Sequence, residues 1–107
     1  MGVWRGLLVA TCLLTCGCVP REGQSIGAVD PLNNIPAIQR AAAEKDEKAV
    51  PALVDQLNSD DPAVRFYAIE ALRRITGQTF DYVYYDEMDE RKPAMERWRH
   101  WLKQRKT

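Results

Sequence analysis

The sequence predicts an all-α fold, a small bundle of about four helices, over residues 33–107. Apolar residues recur there at spacings of three and four, which places them on one face of a helix. Start and stop signals separate the periodic stretches, most clearly the Asp61-Pro62 pair and Gly77. The one aromatic stretch that could form a strand has no partner strand, and a lone strand is not stable. We therefore expect one small helical domain.

The first predicted helix begins at about Asn33, with Asn34 as its cap. Pro36 is expected in its first turn, where a missing N–H costs nothing. A break is expected near Asp46. The apolar stripe of this helix consists of Ile35, Ile38, Ala41 and Ala42.

The second and third helices form a predicted hairpin. The second covers residues 47–58, with Pro51 in its first turn, where proline is tolerated. The third begins at Pro62 after a cap at Asp61 and ends at Gly77, a left-handed cap. Because apolar groups lie on both sides of the third helix, we expect the second helix on one side and the first or last helix on the other.

An aromatic connector, defined as residues 80–85, follows the third helix. Two interpretations of its rings stay open. They either pack over the helices beside the tryptophans of the last helix, or they form a surface that binds a protein, a peptide or a glycan. The side chains concerned are Phe80, Tyr82, Tyr84 and Tyr85.

The last helix is predicted to begin between Asp86 and Pro93 and to end near Arg105. Trp98 and Trp101 share one face with other apolar residues. Two tryptophans bury a large apolar area, so this helix is expected to cap the core of the domain.

The beginning of the chain has an unusual composition. Arg5 precedes a short apolar run that ends in Thr15-Cys-Gly-Cys18, and cysteines also occupy positions 12 and 16. This segment resembles a bacterial lipoprotein signal peptide with a lipobox. The resemblance implies a signal peptide over residues 1–17, lipidation of Cys18 and a flexible tether over residues 18–32. A plain secretory signal with an incidental cysteine is the alternative.

The hairpin resembles a HEAT-type repeat over residues 48–77. The shared features are an early proline, a Leu-rich face, an Asp-Pro turn, a Val-Arg pair and an Ala-x-x-Ala-Leu core. The resemblance implies a structural role for Pro51, Asp61, Pro62, Arg65 and Gly77. It implies that Arg65 pairs with an acidic residue of a neighbouring turn and caps carbonyls. Only one full repeat is visible, and such arrays usually need at least about three units.

No arrangement of residues points to catalysis, a metal or a cofactor. No cysteine follows Cys18, and His100 stands alone on a polar helical face, where it is expected to be exposed. The acidic stretch 86–90 lacks the glycine and ligand spacing of a calcium loop. With 15 basic and 15 acidic residues, the chain also lacks the basic excess of a nucleic-acid binder.

Together these patterns predict a non-enzymatic, lipid-anchored protein–protein interaction module. The resemblance to lipoproteins implies a cell membrane or outer membrane location that faces the periplasm or the exterior, with an envelope protein as partner. The alternative function is binding of a glycan or small aromatic ligand through the aromatic connector and Trp98. The basic residues near the end of the chain are interpreted as a match to the helix dipole, or as a contact with anionic lipid headgroups.

Overall fold

The computed structural model describes residues 23–105. That part of the chain forms four α-helices and no strand, which confirms the predicted all-α bundle. Helix α3 packs against both α1 and α2, and α4 packs on α2. A single 3₁₀ turn, Glu47–Ala49, leads into α2. The helices are α1 Pro31–Glu44, α2 Val50–Gln56, α3 Pro62–Thr76 and α4 Met88–Arg105.

The ends of α3 follow the local signals. The Asp61 carboxylate accepts a hydrogen bond from the Ala63 N–H at 2.8 Å, and Pro62 occupies the first helical position. At the other end, Gly77 adopts a φ of +80° and donates its N–H to the Arg73 carbonyl at 2.9 Å. These two caps enclose a helix that runs from Pro62 to Thr76, so its predicted bounds are confirmed.

The start of α1 differs from the prediction. The helix begins at Pro31, and the carboxylate of Asp30 accepts from the Leu32 N–H at 2.9 Å, so Asp30 is the cap. The predicted cap, Asn34, was wrong because this residue lies inside the helix and is buried. Pro36 accordingly lies beyond the first turn.

Residues 23–30, named here the N-terminal cover, lie against α1 and the end of α2. Ile26 is half-buried against the core, and the Gly27 N–H donates to the Asn34 side-chain oxygen at 2.8 Å. The Arg40 guanidinium donates to the Gln24 side chain. The described part of the predicted tether is thus held on the domain. The predicted signal peptide 1–17, Cys18 and the tether up to residue 22 lie outside the described residues.

The core lies between the helices and contains one tryptophan. Ala68 and Ala71 of α3 have no exposed surface, and their small side chains let the neighbouring helices approach closely. Trp98 of α4 is also completely buried, whereas Trp101 is half-buried at the edge. The predicted buried face of α4 is therefore correct. The largest fully buried side chains are Ile38, Val50, Leu53, Val54, Leu57, Leu72 and Trp98.

The aromatic connector closes the edge of the bundle next to α4. The Phe80 ring meets the Trp98 ring edge-to-face, with centroids 4.8 Å apart. The Trp98 indole N–H donates to the Thr79 carbonyl at 3.1 Å. Phe80 and Asp81 both adopt a positive φ, which is costly for residues other than glycine. The stacking and the indole hydrogen bond hold this strained turn in place.

Candidate interaction surface

The turn between α2 and α3 is tied to the aromatic connector by a buried arginine. Arg65 is only 8% exposed, and it donates to the Tyr84 carbonyl and the Ser59 carbonyl, each at 2.8 Å. The carbonyl capping implied by the repeat resemblance is therefore present. The implied acidic partner is not, because the ion pairs found within residues 23–105 do not include Arg65.

A second clamp joins the connector to the end of α2. The Leu57 carbonyl accepts from the Tyr82 hydroxyl at 2.6 Å and from the buried Arg91 guanidinium at 3.3 Å. Arg91 also donates to the Asp86 carbonyl at 2.9 Å. Burial raises the pKa of the Tyr82 hydroxyl, although hydrogen bonding and charge from Arg91 oppose that shift. Tyr82 is 6% exposed, so its assignment to an interaction surface was wrong.

Four aromatic rings form a continuous row on the outside of α3 and the connector. We name Tyr67, Phe66, Tyr84 and Tyr85 the aromatic row. Successive ring centroids lie 5.2, 5.1 and 5.1 Å apart, in edge-to-face geometry. Tyr85 is 72% exposed and Phe66 38% exposed, whereas the other two rings are half-buried. The row is a rigid strip of apolar surface, held from behind by Arg65.

The structure divides the predicted aromatic surface. Tyr84 and Tyr85 belong to the aromatic row, Phe80 packs against the tryptophans, and Tyr82 is part of the core. Phe66 was missed as a surface residue. The signal was available, because the helical spacing of α3 places Phe66 on the side opposite Val64, Ala68 and Leu72.

A groove between α1 and α3 adjoins the aromatic row. Its volume is about 330 Å³, its floor includes Ala42 and Ala71, and Phe66 and Tyr67 form one wall. Glu70 lies at its rim, where a hydrogen bond from Arg73 lowers the pKa of the carboxyl group. The groove thus combines an apolar floor with a charged rim, a combination typical of protein interfaces.

A second groove lies along α4. Its volume is about 490 Å³, and it is lined by Phe80, Trp101 and His100 among others. The Arg105 guanidinium sits 4.6 Å from the centre of the Trp101 ring. Trp98, which the alternative function requires, is fully buried behind this groove and has no surface to offer a ligand. His100 is exposed, as predicted.

Within residues 23–105, no three His, Cys, Asp or Glu side chains are grouped as metal ligands would be. None of the helices in that part of the chain has the length and apolar composition required to cross a membrane.

With this geometry established, comparison with known families finds a match to the hairpin. Residues 41–77 match the family model of the Armadillo/beta-catenin-like repeat. The matched segment runs from the last turn of α1 through α2 and α3 to the Gly77 cap. The repeat character predicted from the sequence is confirmed in Armadillo/HEAT-like form. Such a repeat suggests a protein–protein interaction module. No curated protein and no solved structure matches the chain.

Proposed function

We propose that this protein is a lipid-anchored interaction module of a bacterial cell envelope, and that it binds another envelope protein through the aromatic row. The observation that carries the binding proposal is the row itself, which runs from an Armadillo-like hairpin onto the aromatic connector. The lipobox-like ending Thr15-Cys-Gly-Cys18 supports the anchor. The proposed role is not enzymatic.

The aromatic row suits a protein partner for two physical reasons. Tyrosine and phenylalanine bury much apolar area and lose little side-chain entropy on binding. The row is also preorganised, because each ring packs on the next and Arg65 fixes the Tyr84 backbone. A partner can therefore bury Tyr85 and Phe66 without having to order the surface first.

The binding proposal is tested by mild crosslinking of whole membranes, followed by purification of the tagged full chain. Tyr85→Ser and Phe66→Ser should each lower recovery of a defined partner about tenfold, the effect of losing an interface hot spot. His100→Ser is the matched control, since His100 is also exposed but lies on α4 and not in the row. Equal recovery by Tyr85→Ser and the unaltered protein would refute the aromatic row as the binding surface.

The anchor is tested separately by the intact mass of the membrane-extracted protein. The proposal expects a mass equal to residues 18–107 plus acyl chains, and loss of those chains in Cys18→Ser. Cys16→Ser is the control, because this residue leaves with the proposed signal peptide. An unmodified mass in the unaltered protein would remove the membrane anchor and, with it, the argument for a membrane location.

A second candidate function is binding of a glycan or small aromatic ligand, which the α4 groove favours. Phe80 and Trp101 line it, and half-exposed aromatic rings offer stacking surfaces. A titration with cell-wall fragments should then shift the tryptophan fluorescence, and Trp101→Phe should abolish the shift. A flat titration would reject this candidate and leave the protein-binding proposal untouched.

A further inference from the structure

Two apolar side chains project from the domain with almost no protein contact. Val29 is 100% exposed and Leu32 is 79% exposed, the highest values among the large apolar residues of the described chain. Val29 precedes the Asp30 cap, and Leu32 lies in the first turn of α1. Leaving two such neighbours in water forgoes favourable burial, which a surface that covers both would recover.

The described chain begins beside this same turn. A Cβ built on Gly23 would lie 3.7 Å from the side chain of Asn33, the residue after Leu32. From Cys18 to Gly23 the chain advances 23 − 18 = 5 residues. Five residues span at most about 18 Å even when fully extended. A lipid on Cys18 therefore holds the first turn of α1 close to the membrane surface.

The opposite end of the domain carries the basic residues. Leu102 and Arg105 of α4 lie beside the start of α2, where Arg105 pairs with Glu47 at 2.9 Å. The N-terminal cover instead meets the end of α2 at Gln56. Val29 and the side chains of Asp55, Asp60 and Asp61 line the same open groove at this end of the domain.

Charge therefore does not favour attraction of this end to anionic headgroups. Its contact with a membrane must rest on apolar insertion, which needs no anionic lipid.

We propose that Val29 and Leu32 insert into the boundary between headgroups and acyl chains of the membrane that holds the lipid anchor. The proposal rests on the proposed lipidation of Cys18. Insertion of this pair adds an apolar contact beside the lipid and fixes which end of the domain faces the bilayer. The basic end of α4 then points away from the lipid.

The test uses the acylated full chain in vesicles of phosphatidylethanolamine, with and without phosphatidylglycerol. Single cysteines replace Val29, Leu32 or, as the control at the basic end, Lys103. Each carries an environment-sensitive dye, and no other thiol is free because Cys18 is acylated. Quenching by brominated acyl chains reports lipid contact, and quenching by aqueous iodide reports exposure to water.

The expected result is a blue shift at positions 29 and 32, loss of most intensity to the brominated chains, and protection from iodide. The dye at position 103 should be quenched by iodide and not by the brominated chains. Adding phosphatidylglycerol should not change the quenching at any of these positions. Lipid quenching at 103 alone would overturn the proposal in favour of a basic contact with headgroups. Protection of 29 and 32 from both quenchers would overturn it in favour of a protein cover.

An intact mass on the same sample separates this proposal from the anchor. A mass without acyl chains contradicts both. An acylated chain whose labels at 29 and 32 remain open to iodide contradicts the insertion and leaves the anchor standing.

Discussion

The two edges of the helical stack are closed by segments of different chemistry. The N-terminal cover is held mainly by polar side chains: Asn34 bridges the Gly27 N–H and the Gln56 amide. The aromatic connector is held by Tyr82 in the core and by Phe80 against Trp98. Both segments lack regular structure, yet only the second buries large rings.

This difference predicts two levels of stability in one small domain. Hydrogen bonds exchanged with water contribute about 1 kcal/mol each, whereas a buried aromatic ring contributes several times that. The N-terminal cover should therefore open locally without unfolding the helices. The aromatic connector should open only when the whole domain unfolds.

The largest effect is expected at Trp98, on which the aromatic connector packs. Trp98→Ala should lower the free energy of unfolding by about 3–5 kcal/mol, since it leaves a large cavity and frees the Thr79 carbonyl. Urea unfolding followed by circular dichroism measures this. Trp101→Ala, at the half-buried neighbour, is the control and should cost clearly less; equal losses would show that the two rings contribute alike.

Arg65→Met should lower the free energy of unfolding by about 2–3 kcal/mol. The methionine keeps the apolar stem but leaves the Tyr84 and Ser59 carbonyls without their donor. Arg73→Met is the control, because Arg73 is exposed on the same helix. A loss no larger than that of the control would contradict the proposed link between connector and hairpin.

Tyr82→Phe should cost about 1 kcal/mol at neutral pH, through loss of the hydrogen bond to Leu57. The pH dependence supplies a sharper measurement. Burial raises the pKa of Tyr82 above its ordinary value of 10.0, so the folded state keeps a proton that the unfolded state releases. The contribution of the protonated Tyr82 hydroxyl to the free energy of unfolding is therefore complete below pH 10 and falls as the pH rises further. The gap in unfolding free energy between the protein and this variant should narrow above that pH.

The smallest global effect is expected at the N-terminal cover. Asn34→Ala should cost about 1 kcal/mol or less in global unfolding, while amide exchange in residues 24–28 accelerates strongly. Hydrogen exchange with mass spectrometry measures both. Faster amide exchange in the aromatic connector as well would contradict the proposed difference between the two edges, because they would then open together.

The hairpin could be predicted because its signals are local. Asp61, Pro62 and Gly77 act on backbone groups within four residues of themselves, so their meaning does not depend on the rest of the fold. The start of α1 carries the same Asp-Pro signal at Asp30 and Pro31 and was still missed. Leu32 faces outward, so the apolar pattern of the buried face does not include the first turn of that helix. The pattern therefore suggested a start further along the chain.

The aromatic connector could not be sorted from sequence because an irregular backbone has no period. Tyr82 is buried and Tyr85 exposed, although they are three residues apart and of one type. The difference is that the Tyr82 hydroxyl donates a hydrogen bond to the Leu57 carbonyl, which lies 25 positions away in the sequence. The candidate surface was accordingly predicted for Tyr85 but missed for Phe66, whose outward position follows from the helical spacing of α3 but whose contact with Tyr84 does not.

The closure of both edges has a consequence for behaviour at high surface density. An anchor of the proposed kind confines molecules to two dimensions, where encounters are frequent and the effective concentration is high. Helical repeats bury their faces by stacking on neighbouring units, so an uncovered edge under those conditions would favour contact between molecules. Here a neighbour at the connector edge would first have to displace a segment that opens only when the whole domain unfolds, so crowding favours separate molecules at that edge.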